Sequence, residues 1–285
     1  MKAALEGRRA ELEAELGEPI TVDSLTAHWS IFQRKRGHRH STDDLLTGWY
    51  ALETMPAGTS RALDLGTGIG GVGLLVLSGM LESHPAASLV AVEAQDVSFR
   101  FFEENVRANG LSERVTPSHG DLRDLALEER FSLVTGSPPY FDPGAGIVPS
   151  DSQKAHARFE LRGDVSDYAK AAKRHLAPGG RFVFCFPWQQ KQRAVDAAHA
   201  QGFVIVQHRD VVPRMGLAPL FSVFACALEP GREMQEPDFV VRDESGEHTA
   251  ALSAVRARFG WRVWDPQEGR LPGDPNPEDG GAPRR

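Results

Sequence analysis

Short apolar runs and longer stretches of helical period alternate along the chain. Residues 1–16 interleave Ala and Leu with charged residues, a pattern that predicts an exposed amphipathic helix closed by Gly17. Thr42-Asp43-Asp44 can cap a helix that continues through Leu45, Leu46, Trp49 and Tyr50. Strand-like runs then recur at 61–65, 88–92, 115–119, 131–135, 181–186, 203–208 and 221–228. Helical segments separate most of them, at 72–77, 97–109, 165–176 and 195–200. Alternation on short connections calls for an α/β chain with a doubly wound, largely parallel sheet. Past 229 the pattern changes to a short strand at 239–242, a turn at Glu244-Ser245-Gly246 and a helix at 250–259. The expected organisation is a helical extension over 1–20, a main domain over 21–229, a small appendage over 230–265 and a disordered tail over 271–285.

One run ends abnormally. After 131–135 the chain reads Gly136-Ser137-Pro138-Pro139-Tyr140-Phe141. Two prolines fix φ, remove two backbone donors and cannot continue a sheet. A stiff turn at the carboxyl end of a parallel strand lies where open α/β sheets bind ligands. Ser137 offers a hydroxyl, Pro138 a carbonyl and Tyr140 a flat face, a set that can hold a planar group bearing an NH2. The same hexapeptide also reads as a loop stiffened by proline, and its surroundings must decide.

Composition narrows the field. The chain has 285 residues, a formal net charge of −7 and ordinary apolar and charged fractions, so it can bury a sizeable core and is not a wholly basic nucleic-acid binder. Its two cysteines, Cys185 and Cys226, sit inside apolar runs without metal-ligand spacing. Buried thiols, no metal and a reducing cytoplasm are the expectation. No apolar run is long enough to span a bilayer, so no membrane partner is expected. One local excess of cations stands out at Arg34, Lys35, Arg36 and Arg39. It reads either as a solvated loop or as a patch that meets phosphates.

The loop after the first strand satisfies G-x-G-x-x-G at Gly66, Gly68 and Gly71, which by itself would also suit a nicotinamide or flavin cofactor. Carboxylates turn the reading. Asp64 sits inside the first strand, where a pyrophosphate would be repelled and an ammonium attracted. Gly66, Gly68 and Gly70 let backbone approach a ligand closely. Glu93 ends the second strand, placed to accept from both hydroxyls of a ribose, and Asp121-Leu122 follows the third, placed for an adenine. An ammonium, a ribose and an adenine along three strand ends describe S-adenosylmethionine.

These residues resemble the class I S-adenosylmethionine-dependent methyltransferases. The run from Asp64 to Gly70 is similar to the first motif of that family, 90–93 to its second, and 176–180 (LAPGG) to the turn before its fifth strand. The resemblance implies a seven-stranded Rossmann-like sheet whose last strand is antiparallel, with Cys185 and Cys226 on neighbouring strands. Within the family, Asn/Asp/Ser-Pro-Pro-Tyr after the fourth strand implies transfer to a planar nitrogen, with Ser137, Pro138, Pro139 and Tyr140 as the catalytic set.

A narrower resemblance covers 18–25, 35–46, 157–161 and 240–251. These stretches look like bacterial tRNA (adenine-N6) methyltransferases acting beside the anticodon of a valine tRNA. It implies that Asp43 lies close to the cofactor and that Arg34, Lys35, Arg36, Arg39 and Phe141 serve an RNA substrate. Two positions depart from that family: Ser137 stands where it has Asn, and His40 where it has an aromatic residue. Serine at this place also occurs in cytosine-N4 methyltransferases. Glutamine-amide transfer to a translation factor and a cofactor-binding RNA-associated protein without turnover are the other readings left open. Oligomeric state is not legible.

Overall fold

The computed structural model describes residues 2–140, 151, 153 and 163–261. The expectations for Phe141, for the helix and motif around 155–161 and for the tail at 271–285 lie outside the described residues.

The chain opens with α1 (Lys2–Leu16). An antiparallel hairpin follows, β1 (Ile20–Ser24) and β2 (Ser30–Arg34), which the apolar pattern did not announce. Helix α2 (Thr42–Thr54) starts from a capping box in which Asp44 Oδ2 accepts from Ser41 N–H at 3.0 Å. The wound part then runs β3 (Arg61–Leu65), α3 (Gly71–Ser83), β4 (Ser88–Glu93), α4 (Asp96–Ala108), β5 (Val115–His119) and β6 (Phe131–Gly136). It continues with α5 (Val165–His175), β7 (Leu176–Pro187), α6 (Lys191–Ala200), β8 (Val204–Val212), β9 (Phe221–Ala227), β10 (Phe239–Val240) and α7 (Ala250–Arg258).

The main sheet has the order β10-β8-β9-β7-β6-β3-β4-β5, with β9 antiparallel to both neighbours and every other pairing parallel. It therefore has eight strands where seven were expected. The additional one is Phe239–Val240, which pairs in parallel with Val211–Val212 and joins the 230–265 stretch to the sheet edge. Strand β7 also begins earlier than expected. Leu176 pairs with Phe131 and Arg181 with Leu133, so the intervening Ala-Pro-Gly-Gly is absorbed as a register shift.

Side chains alternate across the sheet, and both faces are covered. Ala62, Leu89, Ala91 and Leu133 face a core shared with α2, α3 and α4, whereas Leu63, Leu65, Val90, Val92 and Val134 face one shared with α5 and α6. Phe184 stacks on both Phe182 and Phe224 in the second core, and Phe203 tilts against Phe182. Burying each such ring is worth roughly 1.5–3 kcal/mol. Helix α1 joins the first core through Leu12, and Arg8 forks onto Glu104 with two contacts of 3.0 Å. Cys185 and Cys226 lie on the adjacent strands β7 and β9 as free, buried thiols. Because β3 lies between β4 and β6, the chain reverses its winding there, and a crevice opens at the carboxyl ends of these strands.

Candidate active site

The crevice is built on the glycine loop. Beyond Leu65 the backbone passes through Gly66, Gly68 and Gly70 at φ 63°, 60° and 98°, a region that side chains rarely permit. Thr67 N–H donates to the Val92 carbonyl and Gly70 N–H to the Thr67 carbonyl, each at 2.9 Å. Gly66 is also confined from outside: a Cβ there would stand 2.0 Å from the hydroxyl of Tyr168. Tyr168 comes from α5, whose first turn is set by Asp164 accepting from Ser166 N–H and Asp167 N–H at 2.8 and 3.0 Å.

The loop floors an open cleft of about 830 Å³, its mouth included. Glu93 lines it with its carboxylate braced on both sides. One oxygen accepts from Gly68 N–H at 2.8 Å and the other from Gln95 N–H at 2.7 Å. Gly120 and Leu122 form the wall beyond, and Ser98 and Gln95 the rim at the start of α4. Asp121 lies between Gly120 and Leu122 but is not itself part of the lining, and its carboxylate is chelated by the Arg123 guanidinium at 2.9 and 2.6 Å.

Asp64 is not part of the wall either. It lies under the loop, 1% exposed, with one carboxylate oxygen accepting from the Thr135 hydroxyl at 2.7 Å and with the Thr67 hydroxyl and the Gly73 N–H also directed at the carboxylate. Burial pushes its carboxyl up to about 6. The carboxylate that does reach the cleft from the N-terminal side is Asp44. Burial alone would raise it, but His40, with Nδ1 3.2 Å away, and His38 hold it below its ordinary range. Asp43 points elsewhere, accepting at 3.0 Å from the Tyr140 hydroxyl.

The proline turn forms the remaining wall. Ser137 and Pro139 line the cleft beside the glycine loop, since Gly136 pairs with Leu65 on the neighbouring strand. Tyr140 packs edge-on to Phe186 at 6.0 Å, and its carbonyl accepts from Gln190 Nε2 at 2.8 Å. Its hydroxyl also lies 3.4 Å from Cys185 Sγ, and the same sulfur is 3.5 Å from Ser137 Oγ.

The cationic segment is divided. Arg34 is half-buried and pairs with Glu18 at 2.7 Å and Asp151 at 2.8 Å. Arg39 pairs with Asp23 at 3.0 Å and donates to the Thr21 hydroxyl. These two therefore knit the N-terminal hairpin together, while Lys35 and Arg36 are exposed and carry no ion pair among the described residues.

The donor set suits a cationic nucleoside better than a phosphate. Two carboxylates, Glu93 and Asp44, face the cleft, no Lys or Arg lines it among the described residues, and the buried carboxylate of Asp64 lies below. The glycine loop leaves room for backbone approach. These features fit S-adenosylmethionine, which Glu93 and the Gly66–Gly70 loop would hold.

Fold and cleft together define an S-adenosylmethionine-dependent methyltransferase of class I. The chain belongs to the methyltransferase small domain family, whose sequence pattern matches residues 48–203. It is 23% identical over 223 residues to a tRNA1(Val) (adenine(37)-N6)-methyltransferase of Glaesserella parasuis, covering 78% of this chain and 90% of the relative. A protein of the same name from Tolumonas auensis is 26% identical over 235 residues, with 82% and 94% covered. Among solved structures, a predicted O-methyltransferase from Agrobacterium tumefaciens superposes with a TM-score of 0.58 at 16% identity, covering 76% of this chain and 97% of that one. An S-adenosylmethionine-dependent O-methyltransferase from Thermotoga maritima gives 0.50 at 19%, with 70% of each chain covered. These two likenesses concern the fold.

Three residues of the site escaped the sequence. Asp44 was hidden beside Asp43 in a capping sequence. Tyr168 stands far from the glycines it covers, and Cys185 read only as one more apolar strand position. A phenol in the first turn of the helix before the fifth strand was the one available signal.

Proposed function

We propose that this methyltransferase acts on the exocyclic N6 amine of an adenine in tRNA. The observation that carries the reading is the Ser137-Pro138-Pro139-Tyr140 turn, with Ser137 and Pro139 lining the same cleft as the glycine loop. The curated relatives above, which span most of this chain, bear that activity in their names. A tRNA substrate implies a cytoplasmic protein, in keeping with the absence, among the described residues, of a helix long and apolar enough to cross a membrane.

S-adenosylmethionine supplies a methyl group on an electrophilic sulfonium. An exocyclic amine is a weak nucleophile because its lone pair is delocalised into the ring. Ser137 Oγ and the Pro138 carbonyl accept its two hydrogens, which favours a pyramidal nitrogen with its lone pair free. The prolines keep these acceptors from retreating. Tyr140, which is not among the residues lining the cleft, packs against Phe186 and braces the turn. With the cofactor bound, the N–C bond would form as its S–C bond breaks, and the nitrogen, then cationic, would give its proton to water without needing a strong base. The protein contributes mainly alignment of donor and acceptor. Exposed Lys35 and Arg36 are the members of the cationic segment available to RNA phosphates.

Ser137 in place of Asn keeps cytosine N4 as a second reading. Incubation with methyl-labelled cofactor and total tRNA, followed by digestion to nucleosides, tests both. Label in N6-methyladenosine is expected. Label in N4-methylcytidine would move the assignment to the second reading, and label in protein alone would remove RNA from it.

A further inference from the structure

Four polar side chains form a file beneath the proline turn. Ser137 Oγ lies 3.5 Å from Cys185 Sγ, Cys185 Sγ lies 3.4 Å from the Tyr140 hydroxyl, and that hydroxyl lies 3.0 Å from Asp43 Oδ2. They come from three separated parts of the chain: the start of α2, the turn after β6, and the carboxyl end of β7. The other Asp43 oxygen accepts from the Ser41 hydroxyl, which fixes the carboxylate at the end of the file.

Donor counting sets the direction of every bond. A carboxylate can only accept, so the single O–H of Tyr140 is committed to Asp43. Toward Cys185 the phenol then has only lone pairs, so a bond between them is donated by the thiol; the Thr47 hydroxyl, also against the sulfur and with no other partner among the described residues, is a further donor to it. The thiol has one hydrogen, so toward Ser137 its sulfur can only accept, and the serine hydroxyl must donate. Burial pushes the Cys185 thiol up to about 11, so it keeps its hydrogen at neutral pH. The sequence of donation is Ser137 to Cys185 to Tyr140 to Asp43.

We propose that Cys185 is a positioning residue for methyl transfer: the Asp43–Tyr140–Cys185 file draws the Ser137 hydrogen inward, so that the serine presents only lone pairs to the cleft. The inference rests on the reading of the acceptor as an exocyclic amine, which must donate its hydrogens to Ser137. Serine, unlike an amide carbonyl, can rotate and offer its own hydrogen instead. That orientation would oppose the amine. The file removes it, and so gives a hydroxyl the polarity of a carbonyl. Each sulfur bond is weak, but a freely turning hydroxyl needs only a modest bias to choose one rotamer.

The infrared S–H stretch of the full chain reads the direction without turnover. Cys226, which is buried with no hydrogen-bond partner among the described residues, supplies an internal reference for a free thiol. Tyr140→Phe is expected to move the Cys185 band to the Cys226 position, whereas Ser137→Ala leaves it nearly in place. A band that moves in Ser137→Ala and stays in Tyr140→Phe would reverse the file and overturn the proposal. Kinetics give a second arm. Cys185→Ala should lower kcat about two- to fivefold, the lower part of the range for one hydrogen bond, with cofactor affinity unchanged, and Cys185→Ser should recover it. Adding Tyr140→Phe to Cys185→Ala should cost nothing further if both act through one file. Wild-type kcat in Cys185→Ala would also overturn it. A wild type that labels no tRNA nucleoside would instead defeat the proposed substrate, while the infrared result would still decide the direction of the file.

Discussion

Glu93 Oε2 accepts a hydrogen bond from Gly68 N–H at 2.8 Å, which couples the end of the second wound strand to the glycine loop of the first. The same carboxylate is braced by Gln95 N–H, so its orientation is set before any ligand arrives. A bond to a charged group contributes about 1.5–3 kcal/mol. Glu93→Ala should therefore weaken cofactor binding by roughly 10- to 150-fold, read by titration calorimetry. Affinity within threefold of wild type would remove Glu93 from the ribose role.

Tyr168 and Gly66 form a lock that needs the glycine twice, once for its φ of 63° and once for the 2.0 Å clearance to the phenol. Gly66→Ala should destabilise the fold by roughly 1–3 kcal/mol and abolish cofactor binding. The double variant Gly66→Ala, Tyr168→Ala should recover part of the lost melting temperature, since it relieves the collision and keeps the backbone strain. No recovery would assign the whole cost to φ.

Much of the fold was legible because a sheet covered on both faces writes itself as continuous apolar runs, and all seven predicted strands are present within a few residues. The hairpin Ile20–Ser24 and Ser30–Arg34 was not legible. Its first strand is mostly half-buried and mixes polar with apolar residues, so neither period shows. The short strand expected at 239–242 is present as β10, two residues long, but its pairing with β8 as an eighth strand of the main sheet was not legible. In the site, the glycines and Glu93 were readable since adjacent residues fix their geometry. Asp44, Tyr168 and Cys185 were not, because their places depend on how α2, α5 and β7 pack. The same reason separates Arg34 and Arg39 from Lys35 and Arg36: the sequence shows four cations, and only tertiary contacts show that two are already paired.

That division has a measurable consequence. Lys35→Ala and Arg36→Ala should leave the melting temperature unchanged and weaken tRNA binding, each reducing the salt slope by about 0.7–0.9. Arg34→Ala should instead lower the melting temperature, because it strips the partner from Glu18 and Asp151 at a half-buried site. Filter binding at several salt concentrations, together with calorimetry, separates the two effects. Equal behaviour of all three variants would contradict the assignment.

Asp64 makes the apo protein and the cofactor complex respond oppositely to pH. Its folded value of about 6 lies above the ordinary carboxylate value near 3.9. A group raised on folding favours the folded state fully below its unfolded value, and that contribution is lost as pH rises through the folded one. Between about pH 4 and 6.5 the apo protein should thus lose on the order of 2–3 kcal/mol from this residue. Other carboxylates have their own slopes, so the readout is the difference in melting temperature between Asp64→Asn and wild type, which should grow in favour of Asn as pH rises. A cationic ligand prefers the ionised carboxylate, so cofactor affinity of the wild type should increase across the same window, and that of Asp64→Asn should be flatter. A difference in melting temperature that is constant with pH would mean that Asp64 titrates alike in the folded and unfolded chain, and that its burial under the glycine loop is compensated by the bond from Thr135.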